Sequence, residues 1–292
     1  MPACVRHPDR PTGLSCNRCG RPACPECLRE AAVGYQCVDC VRQGQRDVRP
    51  VRTVSGARAG RPVPYATYGL IAVNVVIFAI TAAQSRSLMD NHIGSQLFLD
   101  WALWPLGVAD GQYVRVVGSG FLHFGIIHIA VNMLALYVVG RDAETVLGWA
   151  RYLAVYVVSL LGGSASVMAF QQDAVTAGAS GAIFGLFGAM AVILVRLRQS
   201  PGPVLMMIAL NVIISISIPG ISFWGHFGGL IAGTAATAGL LFLPSWLKRA
   251  GMSVTDKNAR VIGWASVVFV GVLAVATIVL RAAQIRESSG LF

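Results

Sequence analysis

Charge is what this sequence has least of. Asp, Glu, Lys and Arg make up 12% of its 292 residues, against roughly a quarter in soluble domains. With 55% hydrophobic residues, so thin a polar complement excludes an ordinary water-soluble enzyme and reads as an integral membrane protein of the all-α class. Cysteine is missing after residue 40, so no disulfide can staple the apolar part. A basic stretch followed by a short apolar run is missing at the start, so the first apolar segment is expected to serve as its own targeting signal. Internal repeats and acids inside the apolar segments are also missing, which argues against a transporter with a coupling site at mid-membrane.

What is present begins with seven cysteines, all in the first 40 residues. Together with one histidine they form four ligand pairs: Cys4 with His7, Cys16 with Cys19, Cys24 with Cys27, and Cys37 with Cys40. Eight such donors suit two tetrahedral, structural Zn2+ ions. An odd cysteine count and repeated C-x2-C pairs argue against a disulfide scaffold, and thiolate ligation places this end in the reducing cytosol. The spacing leaves open which pairs share an ion; the first with the third and the second with the fourth is one arrangement it allows. Four protein ligands per ion close each site, so no catalytic metal is expected.

The sequence divides into a zinc-binding module at 1–41, an Arg-rich linker at 42–63, an apolar core at 64–245, and a loop, last apolar segment and tail at 246–292. Eleven of the 23 basic residues precede Pro64, a charge balance that points to the cytoplasmic face and to anionic lipid rather than to nucleic acid. Seven apolar segments follow, at about 65–84, 124–140, 150–170, 179–196, 203–220, 223–243 and 261–280, each near the length that crosses a hydrocarbon core of about 30 Å. With the N-terminus inside, Arg141, Arg151, Arg196, Arg198, Lys248, Arg249, Lys257 and Arg260 all fall in inner loops, and the C-terminus lies outside. The segment 85–122 becomes a long outer loop whose "LFLDWALWPLG" is expected to lie partly in the interface.

Polar groups within apolar segments are functional candidates. Ser180 opens the fourth segment, His226 the sixth, and His128 and Asn132 the second, with an i, i+4 spacing that puts the last two on one helix face. All three segments run inward, so the four groups share one depth near the outer surface. Gly178, Gly181, Gly185 and Gly188 surround Ser180, and Gly225, Gly228, Gly229 and Gly233 surround His226, which lets backbones approach closely. Such a set contains the parts for acyl transfer. His226 can take the Ser180 proton, while His128, Asn132 and the amides at the start of the fourth segment can donate to an oxyanion. No carboxylate lies in the fourth or sixth segment, so packing is expected to hold the imidazole. His92 reads as solvated surface, His123 as structural support, Arg115 as a brace of the outer loop, and Glu144 as a brace for the inner end of the second segment.

In order along the chain, R-x7-H-x4-H-x3-N (Arg115, His123, His128, Asn132), "GRDAETVLG" at 140–148, "GASG" at 178–181 and "HFGGLIAG" at 226–233 resemble the rhomboid family of intramembrane serine proteases. The resemblance covers roughly residues 64–245. It implies a six-helix core with a seventh helix added at the C-terminal end, Ser180 as nucleophile, His226 as base, and His128, Asn132 and the Ser180 amide as the oxyanion hole. Gly178 and Gly181 would make room for substrate and for the sixth helix. Phe184 stands where a tyrosine often stacks on the histidine, and Val114 where a tryptophan often precedes the arginine. The N-terminal module resembles two-zinc B-box-like modules, which implies a cytosolic protein partner. The expected activity is cleavage of transmembrane proteins near their extracytoplasmic ends, in the cell membrane. The competing expectation is a catalytically silent relative that binds membrane clients.

Overall fold

A computed structural model describes residues 1–47, 63–218 and 220–290. The chain divides into two compact units, Met1–Val51 and Arg52–Phe292. Most of the Arg-rich linker, including Arg49, Arg52, Arg58 and Arg61, lies outside the described residues.

The first unit has almost no apolar core of its own. Strands β1 (Ala3–Cys4) and β2 (His7–Pro11) pair antiparallel, as do β3 (Leu28–Glu30) and β4 (Tyr35–Cys37), and α1 (Val38–Asp47) follows. The buried cluster consists of Cys4, Cys16, Cys24, Cys27, Cys37 and Cys40 with only Ala23 and Leu28 added. Side chains that elsewhere would be Leu or Val are metal-type donors, so burial of hydrocarbon contributes little to this fold. Gly20, at φ 71°, turns the chain after Cys19 so that its N–H reaches the Cys16 carbonyl at 2.8 Å, a conformation glycine adopts without penalty.

The second unit is helical throughout. The first apolar segment is α2 (Tyr65–Ser85), and the segment 85–122 folds into three short α-helices, α3 (Gln96–Trp101), α4 (Pro105–Ala109) and α5 (Val114–Gly118), and a 3-10 turn at Ser119–Phe121. The second segment, expected to end near 140, continues to 147. There α6 (Gly125–Ala135) passes through a π-helical turn at 136–140 into α7 (Arg141–Leu147). Gly148, at φ 79°, then reverses the chain into α8 (Trp149–Phe170). After α9 (Ser180–Arg196), α10 (Gly202–Ser217) is 16 residues long, shorter than the expected 203–220. The sixth segment is α11 (Phe223–Leu241), bent by 49° into α12 (Leu243–Arg249), where Pro244 removes a helix donor. The seventh, α13 (Asp256–Ser288), is longer than the expected 261–280.

By length and composition four helices can cross a membrane, Tyr65–Ser85, Gly125–Leu147, Trp149–Phe170 and Asp256–Ser288, or five if the bent pair is one span. The apolar α9 and α10 are shorter. The architecture is therefore a multi-pass helical core of six segments followed by a seventh.

Helices α8, α9 and α11 form the centre of this core, and glycine sets their separation. A Cβ on Gly229 would collide with the Gly181 carbonyl oxygen, and one on Gly233 with that of Gly185. Small residues at such spacing permit contact between backbones, the strongest packing available where lipid offers no hydrophobic drive. Glu144 braces the inner end of the second segment, as expected, and does so against α2: it accepts hydrogen bonds from the N–H groups of Ala66 (3.0 Å) and Thr67 (2.8 Å) and from the Thr67 hydroxyl (2.7 Å). A carboxylate thus caps the N-terminus of α2, where helix donors are unpaired and the dipole is positive.

Candidate active site

Three helix starts converge. Ser180 is the first residue of α9, His226 lies in the first turn of α11, and His128 lies in the first turn of α6 with Asn132 one turn below. All three helices begin at the same end of the unit. At about 1.5 Å per residue, the 17 residues of α9 span about 25 Å. That is short of a hydrocarbon core of about 30 Å, so its ends need not reach both surfaces.

Ser180 is held by the strand-like segment before it. Leu103, between α3 and α4, exchanges two 2.9 Å backbone hydrogen bonds with Thr176, and the Gly178 N–H donates to the Ser119 carbonyl at 2.9 Å. The segment 85–122 therefore fixes the approach to α9. Arg115 locks that loop in turn, donating to the carbonyls of Leu99 (2.6 Å) and Ala102 (2.9 Å) and to the Gln112 side chain (2.6 Å). His226 is fixed by Ser222, which caps α11 by accepting from the Gly225 N–H (3.1 Å) and donates to Gln171 at the end of α8 (2.6 Å).

The Ser180 hydroxyl and His226 Nε2 are 2.7 Å apart. Phe184, one turn along α9, stacks on the imidazole with ring centroids 4.2 Å apart and planes within 11°. The ring thus keeps its stacking partner although the tyrosine hydroxyl is missing. Ser180, His226 and His128 are each partly exposed, so the group is reachable.

On the opposite side, the Phe124 N–H donates to His128 Nδ1 at 3.1 Å, which leaves the proton on Nε2, free to donate. Gly178, at φ 139°, separates His128 from Ser180. A Cβ there would lie 3.1 Å from His128 Nε2 and 3.4 Å from the Ser180 hydroxyl. That point is close to both the Ser180 hydroxyl and the His128 ring nitrogen. The N–H of Ser180 is among the first amides of α9, which the helix leaves unpaired. The Asn132 side-chain amide donates to the His128 carbonyl at 2.9 Å, which uses one of its two N–H groups. Gly181 faces elsewhere. Its position packs on the Gly225 carbonyl, where a Cβ would come within 3.1 Å, so it belongs to the helix contact.

Two histidines frame this site. His123 is fully buried, edge-on to His128 at 5.1 Å, with neither ring nitrogen hydrogen-bonded. His92 corrects the expectation of a solvated residue: it is half-buried between Phe98 (5.8 Å) and Phe124 (5.4 Å), and Phe124 stacks on His128. Val114, by contrast, is exposed. One partner escaped the sequence reading. His226 Nδ1 lies 2.7 Å from the hydroxyl of Ser215 in α10, so packing is not all that holds the imidazole. The available signal was a hydroxyl near the end of an apolar segment that runs toward the same membrane face.

The Rhomboid domain family profile matches residues 110–244, which include His128, Asn132, Gly178, Ser180, Phe184, Ser215 and His226. "Putative rhomboid protease YdcA" of Bacillus subtilis (strain 168) is 32% identical over 136 residues, 44% of this chain and 68% of that protein. The chain belongs to the rhomboid family. "Rhomboid protease GluP" of the same organism is 31% identical over 182 residues, 61% of this chain and 35% of that protein. "RHOMBOID-like protein 5" of Arabidopsis thaliana is 34% identical over 147 residues, 48% of each chain. This rhomboid chain therefore spans about a third to a half of the length of those two relatives.

Outside the rhomboid core, the first unit gathers two four-donor sets, Cys4, His7, Cys24 and Cys27, and Cys16, Cys19, Cys37 and Cys40, with the donor atoms of each within 4.8 Å of one another. The first pair joins the third and the second joins the fourth. Backbone hydrogen bonding, chiefly at Cys24, lowers the Cys4 thiol to about 6. At Cys16 burial acts upward, but the N–H of Cys37 and neighbouring amides outweigh it and bring that thiol to about 6 as well. Burial holds Cys27 up at about 11, and hydrogen bonding with Cys19 followed by burial holds Cys40 at about 12. Cys19 is lowered too, chiefly by hydrogen bonding from Arg21, so within each cluster hydrogen bonding favours thiolate at some sulfurs while crowding and burial suppress it at others.

Proposed function

We propose that this rhomboid is an active intramembrane serine endopeptidase in which Ser180 is the nucleophile and His226 the general base and acid. The observation that carries the reading is the 2.7 Å contact between the Ser180 hydroxyl and His226 Nε2, with Phe184 stacked on the ring. Nε2 takes the hydroxyl proton as Ser180 attacks a peptide carbonyl, and returns it to the leaving amine. The developing oxyanion lies near the point between Ser180 and His128 that Gly178 leaves open. There it meets His128 Nε2–H, the Ser180 amide, the remaining N–H of Asn132 and the positive end of the α9 dipole. Water then cleaves the acyl-enzyme, with His226 as base.

Substrates are transmembrane proteins cut near their extracytoplasmic ends, where the three helix starts lie if the basic loops face the cytosol. A helical substrate hides its carbonyls in internal hydrogen bonds, so segments with glycine, alanine or proline near the scissile bond should open most readily. The catalytically silent alternative is disfavoured by the retained Ser180 and His226 at bonding distance. A fluorophosphonate probe distinguishes the two: labelling of the parent protein but not of Ser180→Ala is expected, and equal labelling of both would defeat the reading.

The first unit is read as a cytosolic module holding two structural zinc ions. A zinc tetrahedron with bonds of about 2.3 Å to sulfur and about 2.0 Å to nitrogen has edges of roughly 3.8 Å and 3.5 Å. The Cys19–Cys37 sulfurs are 3.8 Å apart, and His7 Nδ1 is 3.4 Å from Cys24 and from Cys27 and 4.0 Å from Cys4. The donor sets therefore fit the ion, which would supply fold rather than catalysis. Docking of a cytosolic protein partner is the role proposed for the module.

A further inference from the structure

We propose that Ser215 is a positioning residue for the dyad, a third member that selects the reactive tautomer of His226. This rests on the dyad reading above. In α10, Ser215 lies 2.7 Å from His226 Nδ1 and donates its own proton to the Asn211 carbonyl at 2.7 Å. A hydroxyl has one proton, and here it is given to the carbonyl one turn back. The oxygen must then accept from Nδ1–H, so the imidazole carries its proton on Nδ1 and presents a lone pair at Nε2. Ser180 donates into that lone pair. The hydrogen bonds run in one direction, from Ser180 to His226 to Ser215 to the Asn211 carbonyl. When the Ser180 proton moves to Nε2, Nδ1–H stays bonded to Ser215, and no proton need leave the chain.

Two further observations point to the hydroxyl. Of the sixteen residues of α10, Ser215 alone is buried, while Leu210, Ile213 and Ile216 are more than half exposed. A helix whose apolar side chains mostly face outward turns this polar one inward. The stack with Phe184 also cannot do the same work, because a flat ring satisfies it equally well when turned over by 180°. Turning over replaces Nδ1 by carbon opposite Ser215 and removes Nε2 from Ser180. Apart from the contact with Ser180 itself, which substrate attack must disturb, a hydrogen bond at the Nδ1 edge is what distinguishes the two orientations, and among the described residues Ser215 supplies it. In the serine triads of soluble proteases a buried carboxylate has this place; a neutral hydroxyl avoids carrying a charge into the membrane.

The test compares Ser215→Ala, Ser215→Thr and Ser215→Val with the parent in detergent, with Ser180→Ala alongside. Thr and Val have the same shape and differ in the hydroxyl, so packing is held constant between them. The readouts are the rate of fluorophosphonate labelling, the kcat and KM for a transmembrane reporter, the thermal midpoint, and the ring-nitrogen NMR signals of 15N-histidine-labelled protein. Loss of one hydrogen bond predicts a labelling rate and kcat lower by roughly 3- to 10-fold in Ala and Val, with KM unchanged. Thr should return to within about 2-fold of the parent by the same reasoning. The parent should show the Nδ1–H form at His226, and Ala a mixture of tautomers. Equal rates in Thr and Val, or a parental rate in Ala, would overturn the assignment of Ser215 while an unlabelled Ser180→Ala leaves the dyad reading intact. Parental labelling of Ser180→Ala would instead remove the dyad reading itself.

Discussion

Gly178 leaves a space between His128 and Ser180 that a single carbon atom would fill. A methyl group there would stand 3.0 Å from the His128 ring and 3.4 Å from the Ser180 hydroxyl, at a φ of 139° that side chains rarely adopt. Gly178→Ala is therefore expected to lower kcat by about 100-fold or more by filling the place of the oxyanion, measured on a transmembrane reporter. His128→Ala removes a donor without filling the place, and a loss on the order of 100-fold with little change in KM is expected. Parental turnover in either variant would move the oxyanion elsewhere. At this scale the sequence was informative where chemistry restricts residue type. A hydroxyl, imidazoles and an amide in apolar segments are costly enough to stand out, so Ser180, His226, His128 and Asn132 were legible. Ser215 was not, because a serine in a membrane helix bonds readily to the carbonyl one turn back, and only the contact with Nδ1 distinguishes it from that ordinary use.

Among the elements, the helix starts matter more than the helix lengths. The glycines of α9 and α11 were legible as a close contact because G-x-x-x-G spacing puts small residues on one face, and the carbonyl contacts at Gly229 and Gly233 show that face in use. The junctions were not. A π-helical turn joins α6 to α7, and its Leu136, Val139 and Gly140 look like any apolar run. Glu144 was legible as a brace of the second segment's inner end, but not its partner: it caps α2 across 78 positions of sequence, a pairing that local spacing cannot encode. This cap carries a stability prediction. Glu144→Ala strands two amides and a hydroxyl, a loss of roughly 2 to 4 kcal/mol at the usual cost of an unsatisfied group. The thermal midpoint in detergent should fall accordingly. Glu144→Gln, which keeps a carbonyl acceptor, should lose distinctly less; equal losses would mean that the charge and not the cap stabilises this junction.

Over the whole molecule, two compact units obtain their stability from different sources. The core packs helices through glycine, whereas the first unit buries cysteines where a core would hold hydrocarbon, so its fold should depend on metal. A strong chelator is expected to remove about two zinc ions per chain, as two closed four-ligand sites require, and to unfold residues of the first unit in limited proteolysis. Fluorophosphonate labelling should survive, since every group of the dyad belongs to the second unit. Well under two zinc ions at the outset would contradict the two-site reading. The eight donors were legible from C-x2-C spacing, while the interleaved pairing needed coordinates because several foldings satisfy the same spacing. The central claim, that the 2.7 Å pair of Ser180 and His226 cuts peptide bonds inside a membrane, is tested most directly in liposomes. Parent and Ser180→Ala proteins are reconstituted with a single-span reporter carrying glycine near its extracytoplasmic end, and the products are mapped by mass spectrometry. The account predicts one cut within that outer end by the parent and none by Ser180→Ala; equal cleavage by both, or no cleavage by a correctly folded parent across a panel of such reporters, would contradict it.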